Sequence, residues 1–237
     1  MVHNKRNERN YRNGKRVTMI DLHTHTLLSD GELLPAELAR RAKMKGYHAI
    51  GISDHVDHTN IEHVVTSILR LSKHIAYHEG ITILPGVEIT HVPKDMIGEL
   101  IGLARKLGIL YVVVHGETIA EPVEEGTNRE AIVGGADILA HPGLITEDDV
   151  IRAKEMGVLL EISGRKGHSL TNGHVGKLAE KYGAKLIFDT DSHSPSDLVS
   201  TEQARNVVLG AGLTPEVFDT MQQNAFELLK RAMEKRK

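Results

Sequence analysis

A closed or nearly closed α/β barrel of seven parallel strands is the fold this 237-residue sequence predicts. Three observations predict it. From residue 19 onward, short β-branched runs alternate with charged amphipathic stretches, which is the pattern of repeated β-α units with right-handed crossovers. Glycines stand just ahead of the strands, at Gly46, Gly80, Gly108, Gly157 and Gly183, where a helix C-terminus wants a left-handed residue. Aromatic residues make up only 3% of a chain that is 40% apolar, so its core must be Ile, Leu, Val and Ala. Such a core suits buried parallel strands covered by helices. A doubly wound open sheet is the alternative arrangement of the same units.

The strand-like runs are Met19–Leu22, His48–Ser53, Ile81–Glu88, Ile109–Val114, Ala136–Ala140, Val158–Ile162 and Lys185–Asp189. Each is too short for an independent helix. Helical stretches are expected between them, over Leu34–Lys45, Ile61–His78, Lys94–Leu107, Asn128–Val133, Thr146–Met156 and Leu170–Tyr182. Three more follow the last strand, at Ser196–Leu209, Thr214–Gln223 and Asn224–Lys235. Pro35 falls near a helix start, where its missing N–H costs nothing. Thr146 and Asp149 have the spacing of a capping box. Residues 19–237 hold seven strands and no long linker, so they are read as one barrel domain.

Residues 1–18 read differently. Lys5, Arg6, Arg9, Arg12, Lys15 and Arg16 face a single acid, Glu8, with almost no apolar residue among them. A flexible basic arm is expected, either a plain extension or a contact for phosphate-bearing partners. The whole chain carries a formal charge of −3 and no cysteine. Disulfides and cysteine-bound zinc are excluded. Scarce aromatics argue against a nucleic-acid stacking surface, and net charge gives no attraction to anionic membranes. No apolar run reaches the roughly 18 residues of a spanning helix, and no signal peptide is recognisable. A soluble, cytoplasmic protein is the expectation, with nucleic acid a possible but disfavoured partner.

In parallel α/β folds, functional side chains collect at the C-terminal ends of strands. Here every strand ends in a histidine or a carboxylate. The first delivers His23 and His25 to one face, two residues apart, with Asp30 just beyond. The second ends in Asp54 and His55, the third in Glu88, the fourth in His115 and the fifth in His141. The sixth ends in Glu161 and the seventh in Asp189, Asp191 and His193. Six of the 15 histidines therefore sit at strand ends. Polar groups buried together must be satisfied together, and shared cations do so most simply. His23, His25, Asp30, His55, Glu88, His115, His141, Asp191 and His193 form the candidate set. One ion takes about four to six ligands, so nine groups suit two to three divalent ions, Zn, Mn or Fe.

His23-x-His25 with Ser29-Asp30-Gly31, then Ser53-Asp54-His55, Gly86-Val87-Glu88, His115, His141-Pro142-Gly143 and Asp191-Ser192-His193, resembles the PHP (polymerase and histidinol phosphatase) family. The match runs in order over residues 19 to about 194. The resemblance implies a distorted, TIM-like (β/α)7 barrel with a trinuclear centre that hydrolyses phosphate esters by a metal-bridged hydroxide. It implies one metal on His23, His25, Glu88 and Asp191. Glu88 would bridge to a second on His115 and His141, and Asp30, His55 and His193 would hold a third. A small phosphomonoester is the expected substrate. The chain is shorter than many dedicated histidinol phosphatases, which weakens that particular substrate. A nuclease acting on phosphodiesters and an amidohydrolase-type metal hydrolase are the alternatives. The latter usually has eight strands and a bridging modified lysine, and no lysine ends a middle strand here.

Asp191 and His193 could also assist proton transfer to the leaving group. Arg165, after the sixth strand, could clamp a phosphate bidentately or simply be a loop charge. Glu161 is expected to orient a ligand imidazole from behind, with Asp54 and Glu117 acting likewise or, for Asp54, capping a turn. His168 and His174 could line the pocket, but a surface position is the expectation. His91 is placed at the rim. His74 and His78, spaced i, i+4 without the glutamate of a zinc-protease helix, read as a surface pair. His3, His48, His58 and His63 belong to no constellation.

Overall fold

The structure is a computed structural model and describes residues 19–74 and 80–234. The basic arm, His3 and His78 lie outside the described residues. Eight parallel strands appear: β1 (Ile20–Asp21), β2 (Ala49–Ile52), β3 (His55–Val56), β4 (Thr82–Ile89), β5 (Tyr111–His115), β6 (Ile138–Ala140), β7 (Leu159–Ser163) and β8 (Leu186–Asp189). The sheet runs β1-β2-β4-β5-β6-β7-β8, with β3 also on β4. Strand β2 is the expected second strand, and β3 continues its line beyond the expected end at Ser53. Ile52 pairs with Pro85 and His55 with Glu88, so the register carries straight through the break at Ser53 and Asp54. Seven strand positions result, as the sequence predicts.

The seam between β1 and β8 closes the barrel with few backbone bonds. One parallel bridge joins Thr24 to Ser192, where the His25 N–H donates to the Ser192 carbonyl at 2.8 Å. Below it, side chains replace the ladder. Leu22 N–H donates to Asp189 Oδ1 at 2.6 Å. Asp21 accepts from Thr190 N–H at 3.2 Å and from Thr190 Oγ1 at 2.6 Å. Gln222 accepts from Ile20 N–H at 2.7 Å and donates back to the Ile20 carbonyl at 3.2 Å. Each substitutes for a strand partner that a buried edge would otherwise lack.

Helices α1 (Pro35–Met44), α2 (Ile61–His74), α3 (Ile97–Lys106), α4 (Thr127–Val133), α5 (Glu147–Met156), α6 (Asn172–Tyr182), α7 (Thr201–Gly210) and α8 (Pro215–Glu234) cover the sheet. Pro35 stands in the first turn of α1, and the Thr146 side chain accepts from Asp149 N–H. The five glycines expected at helix ends all have positive φ, from 65° at Gly80 to 100° at Gly108. Two helices differ from expectation. Helix α7 starts at Thr201, not Ser196, because Ser200 and Gln203 form a reciprocal capping box. Asp197 instead holds a turn, accepting from His193 and Ser194 N–H. The two last expected helices are one. Asn224, the expected start of the last helix, is buried within α8 and donates to the Leu186 carbonyl at 2.8 Å.

The core has two parts. Most of it lies between sheet and helices. The second fills the barrel interior with Ile20, Leu22, Leu84, Val113, Ile138 and Ile187, and is plugged from below by Ala225, Leu228 and Leu229 of α8. Tyr111 crosses that interior, and its hydroxyl donates to the Leu22 carbonyl at 2.7 Å. Gly51 and Gly86 make room for it, since a Cβ at either would lie 2.1 Å and 2.3 Å from the tyrosine. The barrel is thus solid beneath its C-terminal mouth. Among the described residues, no helix is long and apolar enough to cross a membrane.

Candidate metal centre

Parallel strands of matched register bring all nine candidate groups to the same end of the barrel. His23 and His25 follow β1, His55 opens β3, Glu88 lies within β4 and His115 ends β5. His141 directly follows β6, and Asp191 and His193 follow β8. Asp30 reaches in from the loop after β1 and stays half-exposed. His23, His25, Glu88, His115, His141 and Asp191 are buried. His91, His141 and Asp191 have positive φ of 53°, 27° and 49°. Left-handed backbone is costly for a histidine and is retained where function requires the side chain in place.

The ligand atoms fall into overlapping clusters. His23, His25 and Asp191 form one, and His23, Glu88 and His141 another. His25, Asp30, His55 and His193 form a third, and His115, His141 and His168 a fourth. In each, the ligand atoms lie within 4.8 Å of one another. Several of these groups approach one another closely. His23 Nε2 is 3.3 Å from Glu88 Oε1 and 3.6 Å from Asp191 Oδ1. His25 Nε2 is 3.2 Å from Asp191 Oδ1, and His193 Nε2 is 3.2 Å from Asp30 Oδ1. Glu88 reaches His23, His25, His55 and His141, while His115 turns to Glu121 at 3.0 Å.

Among the described residues, His23 Nε2, His25 Nε2, Glu88 Oε1 and Asp191 Oδ1 are buried without a hydrogen bond. So many orphaned polar atoms in one place call for a water, ion or ligand to satisfy them. Imidazole nitrogens mixed with carboxylate oxygens suit divalent zinc, manganese or iron. In metal-free protein, against the effect of burial, nearby carboxylates, Glu88 first, hold the His23 and His55 imidazoles above their ordinary value. Burial pushes the Asp191 carboxyl up to about 7, with Glu88 adding to the rise. Burial drives His25 and His141 well below the ordinary imidazole value, with neighbouring imidazoles adding to the fall. Both are therefore neutral and offer lone pairs at neutral pH.

Surrounding groups orient these rings. Glu161 Oε2 lies 2.6 Å from His23 Nδ1, as expected of a residue that aims a ligand imidazole. Thr90 Oγ1 lies 2.6 Å from His55 Nδ1. Asp54 and Glu117 do not touch ligand rings in this way. Asp54 ties down the turn after β1, accepting from Thr26 N–H and Oγ1 and from Ser29 Oγ. Glu117 accepts from Gly126 and Asn128 N–H at the start of α4.

A cavity of about 360 Å³ opens over the centre. His55, His115, Asp191 and His193 meet it from below, and His91 and Arg165 line its wall. Arg165 is not a free loop charge. Its Nη1 donates to the Asp191 carbonyl at 3.1 Å and sits 2.6 Å from His193 Nδ1. His91 lies exposed at the rim, as expected. His168 corrects the surface expectation. It is buried in the cavity wall, stacked on His141 with ring centres 4.0 Å apart. His174 belongs to neither place, because it pairs with the Ile145 carbonyl at 2.8 Å. Glu121 was not foreseen in the sequence. It sits in an aperiodic loop, 3.0 Å from His115, 3.6 Å from His168 and 3.9 Å from His91. A side cavity of about 240 Å³, with Val92, Pro93, Ile97 and Val114 in its wall, shares His91 and His115 with the main one.

Comparison with known proteins places these features. The chain is 44% identical over 214 residues to an uncharacterized protein of Methanocaldococcus jannaschii, covering 89% of this chain and 98% of that one. It is 30% identical over 219 residues to a Thermoanaerobacter protein named as a probable phosphatase, covering 84% and 89%. A DNA polymerase/3'-5' exonuclease PolX of Bacillus subtilis is 25% identical over 198 residues, which cover 73% of this chain and 34% of the polymerase. In fold, the chain resembles a chain of archaeal ribonuclease P with mature tRNA, with TM-score 0.69, 16% identity and 90% and 91% coverage. A zinc-bound amidohydrolase of Burkholderia ambifaria has TM-score 0.55 and 13% identity, covering 84% and 70%. The family model described as PHP domain matches residues 21–155, more than half of the sequence. With the ordered strand-end motifs and the barrel that gathers them, this match establishes that the chain belongs to the PHP domain family.

Proposed function

We propose that the chain is a metal-dependent phosphoesterase that hydrolyses a small phosphomonoester. The observation that carries this reading is the convergence of nine imidazole and carboxylate groups, several buried and unpaired, beneath one open cavity. His23, His25, Glu88 and Asp191 would hold one divalent ion, and Asp30, His55 and His193 another. His115 and His141 would hold an ion between them, with Glu88 shared. Such ions, when bound, neutralise phosphate oxygens and acidify a water so that it attacks at neutral pH.

The remaining work belongs to the chain. Arg165 steadies Asp191 and His193 and presents the rest of its guanidinium to the cavity, where it can take a phosphate oxygen. Glu161 holds the proton on His23 Nδ1, leaving Nε2 to face inward. Asp191 and His193 stand where one can pass a proton to the leaving oxygen. The cavity is at the small end for a ligand site. Asp30, Asp57, Glu121 and Asp191 in its lining favour a compact monoester over a long polyanion. Relatives named as phosphatases that align over most of the chain support the same choice.

The PolX relative motivates a second reading, hydrolysis of nucleic-acid phosphodiesters. One assay separates the two. Metal-loaded protein is presented in parallel with a phosphomonoester panel and with single- and double-stranded oligonucleotides. Release of inorganic phosphate from monoesters with intact oligonucleotides supports the proposal. Oligonucleotide cleavage without monoester turnover replaces it with the nuclease reading.

A further inference from the structure

Four imidazoles around the cavity share one disposition. In each, Nδ1 is anchored to an oxygen of the protein; Nε2 of His23, His55 and His168 stands against a carboxylate of the site, and Nε2 of His115 pairs with Glu121 at 3.0 Å. His23 is anchored by Glu161 at 2.6 Å, His55 by Thr90 at 2.6 Å and His115 by the Gly116 carbonyl at 3.1 Å. The fourth is His168, whose Nδ1 lies 2.7 Å from Thr118 Oγ1. Its Nε2 stands 3.6 Å from both Asp191 Oδ2 and Glu121 Oε1, too far for a hydrogen bond to either. A histidine that donates one ring nitrogen to a protein oxygen keeps the other as a directed lone pair, the usual arrangement of a metal-bound imidazole.

The surroundings of His168 sharpen this. The ligand atoms of His115, His141 and His168 lie within 4.8 Å of one another. Glu88 contacts His141 at 3.7 Å, but its contacts among the described residues do not extend to His115. An ion on His115 and His141, with Glu88 shared from the neighbouring ion, would therefore have room for a further protein ligand. His168 supplies it from the start of a 3-10 turn, His168–Thr171, after β7, with Thr118 holding it from the loop after β5.

We propose that His168 is a metal ligand, completing with His115 and His141 a three-imidazole site in the middle of the centre. The inference rests on the metal-dependent reading above and extends its ligand set beyond the nine residues legible in the sequence. Three imidazoles around a divalent ion leave a position open for water or substrate.

The test reads metal binding rather than turnover. Chelator-treated protein is titrated with divalent cobalt, following visible absorption and the amount bound per chain, for wild type, His168→Gln and Thr118→Val. His168→Gln keeps the volume and a hydrogen bond for Thr118 but removes the ring nitrogen. The expected result is that His168→Gln loses one equivalent of cobalt or binds it at least ten-fold more weakly, with the other equivalents unchanged. Thr118→Val should weaken the same equivalent, by roughly 10- to 100-fold at most. If His168→Gln fails to fold, the Thr118→Val titration alone decides, and unaltered cobalt binding there overturns the assignment. Wild-type stoichiometry, affinity and absorption in a folded His168→Gln overturn it too. If only the KM for substrate rises in that variant, His168 belongs to substrate binding instead. A wild-type protein that takes up no cobalt fails differently, by removing the metal reading of the whole site.

Discussion

Glu88 is the residue on which the site turns. It is fully buried, and within about 4 Å of its carboxylate lie His23, His25, His55 and His141. Burial alone would raise its pKa, but the charges of His23 and His55 hold it well below the ordinary carboxylate value. Glu88→Gln keeps the shape and removes that charge. We expect the variant to fold, to retain fewer divalent ions per chain, and to lose at least ~100-fold in kcat/KM, about 2.7 kcal/mol of transition-state stabilisation. Metal content by elemental analysis and turnover of a phosphomonoester check this together, and full activity would remove Glu88 from the centre. Residues such as Glu88, His115 and His141 were legible in the sequence because a strand end is both easy to locate and chemically meaningful in a parallel barrel. Glu121 and His168 were not, because one sits in an aperiodic loop and the other at the start of a short 3-10 turn, where spacing says nothing about which way a side chain turns.

Strands β2, β4 and β5 meet at Tyr111, which fills the barrel where the small residues Gly51 and Gly86 leave space. Gly86→Ala puts a methyl group into the tyrosine ring. We expect a loss of about 1–3 kcal/mol in urea unfolding, partly recovered when Tyr111→Leu is added. An equally stable Gly86→Ala protein would contradict the packing. Across the seam, Asp21 accepts from His23 and Thr190 N–H and from Thr190 Oγ1. Burial pushes its carboxyl up to about 6, against the pull of those hydrogen bonds. Between the ordinary carboxyl value and 6, the folded chain therefore holds a proton that the unfolded chain has released. Stability contributed by this group falls as pH rises through that window. For metal-free protein we expect Asp21→Asn to gain on wild type by on the order of 2 kcal/mol between pH 4 and pH 7. A difference that stays flat with pH would contradict it. None of this seam was legible beforehand. Asp189 reads as strand-end polarity and Asp21 as part of the first strand, and only the closed barrel shows that they stand in for backbone partners.

At the scale of the whole molecule, alternation of strand and helix was enough to predict the barrel, because each unit carries its own start and stop signals. Thr146 marks the start of α5 and Gly157 its end, whereas α7 is expected from Ser196 and starts only behind the Ser200–Gln203 box. The last helix escaped that logic. Asn224 is the expected start of a separate helix, but its side chain is taken by the Leu186 carbonyl on β8 and the helix runs on through it. The same helix plugs the lower end of the barrel and gives Gln222 to β1. One end is thereby solid and the other free to hold chemistry. The claim that this open end is a multi-metal phosphoesterase centre is tested most directly by titrating metal-free protein with manganese, zinc and iron(II) in turn while following phosphate release from a phosphomonoester. The account expects no hydrolysis without metal and activity that saturates at two or three equivalents of at least one ion per chain. Undiminished hydrolysis by the metal-free protein, or none with any of the three ions, would contradict it.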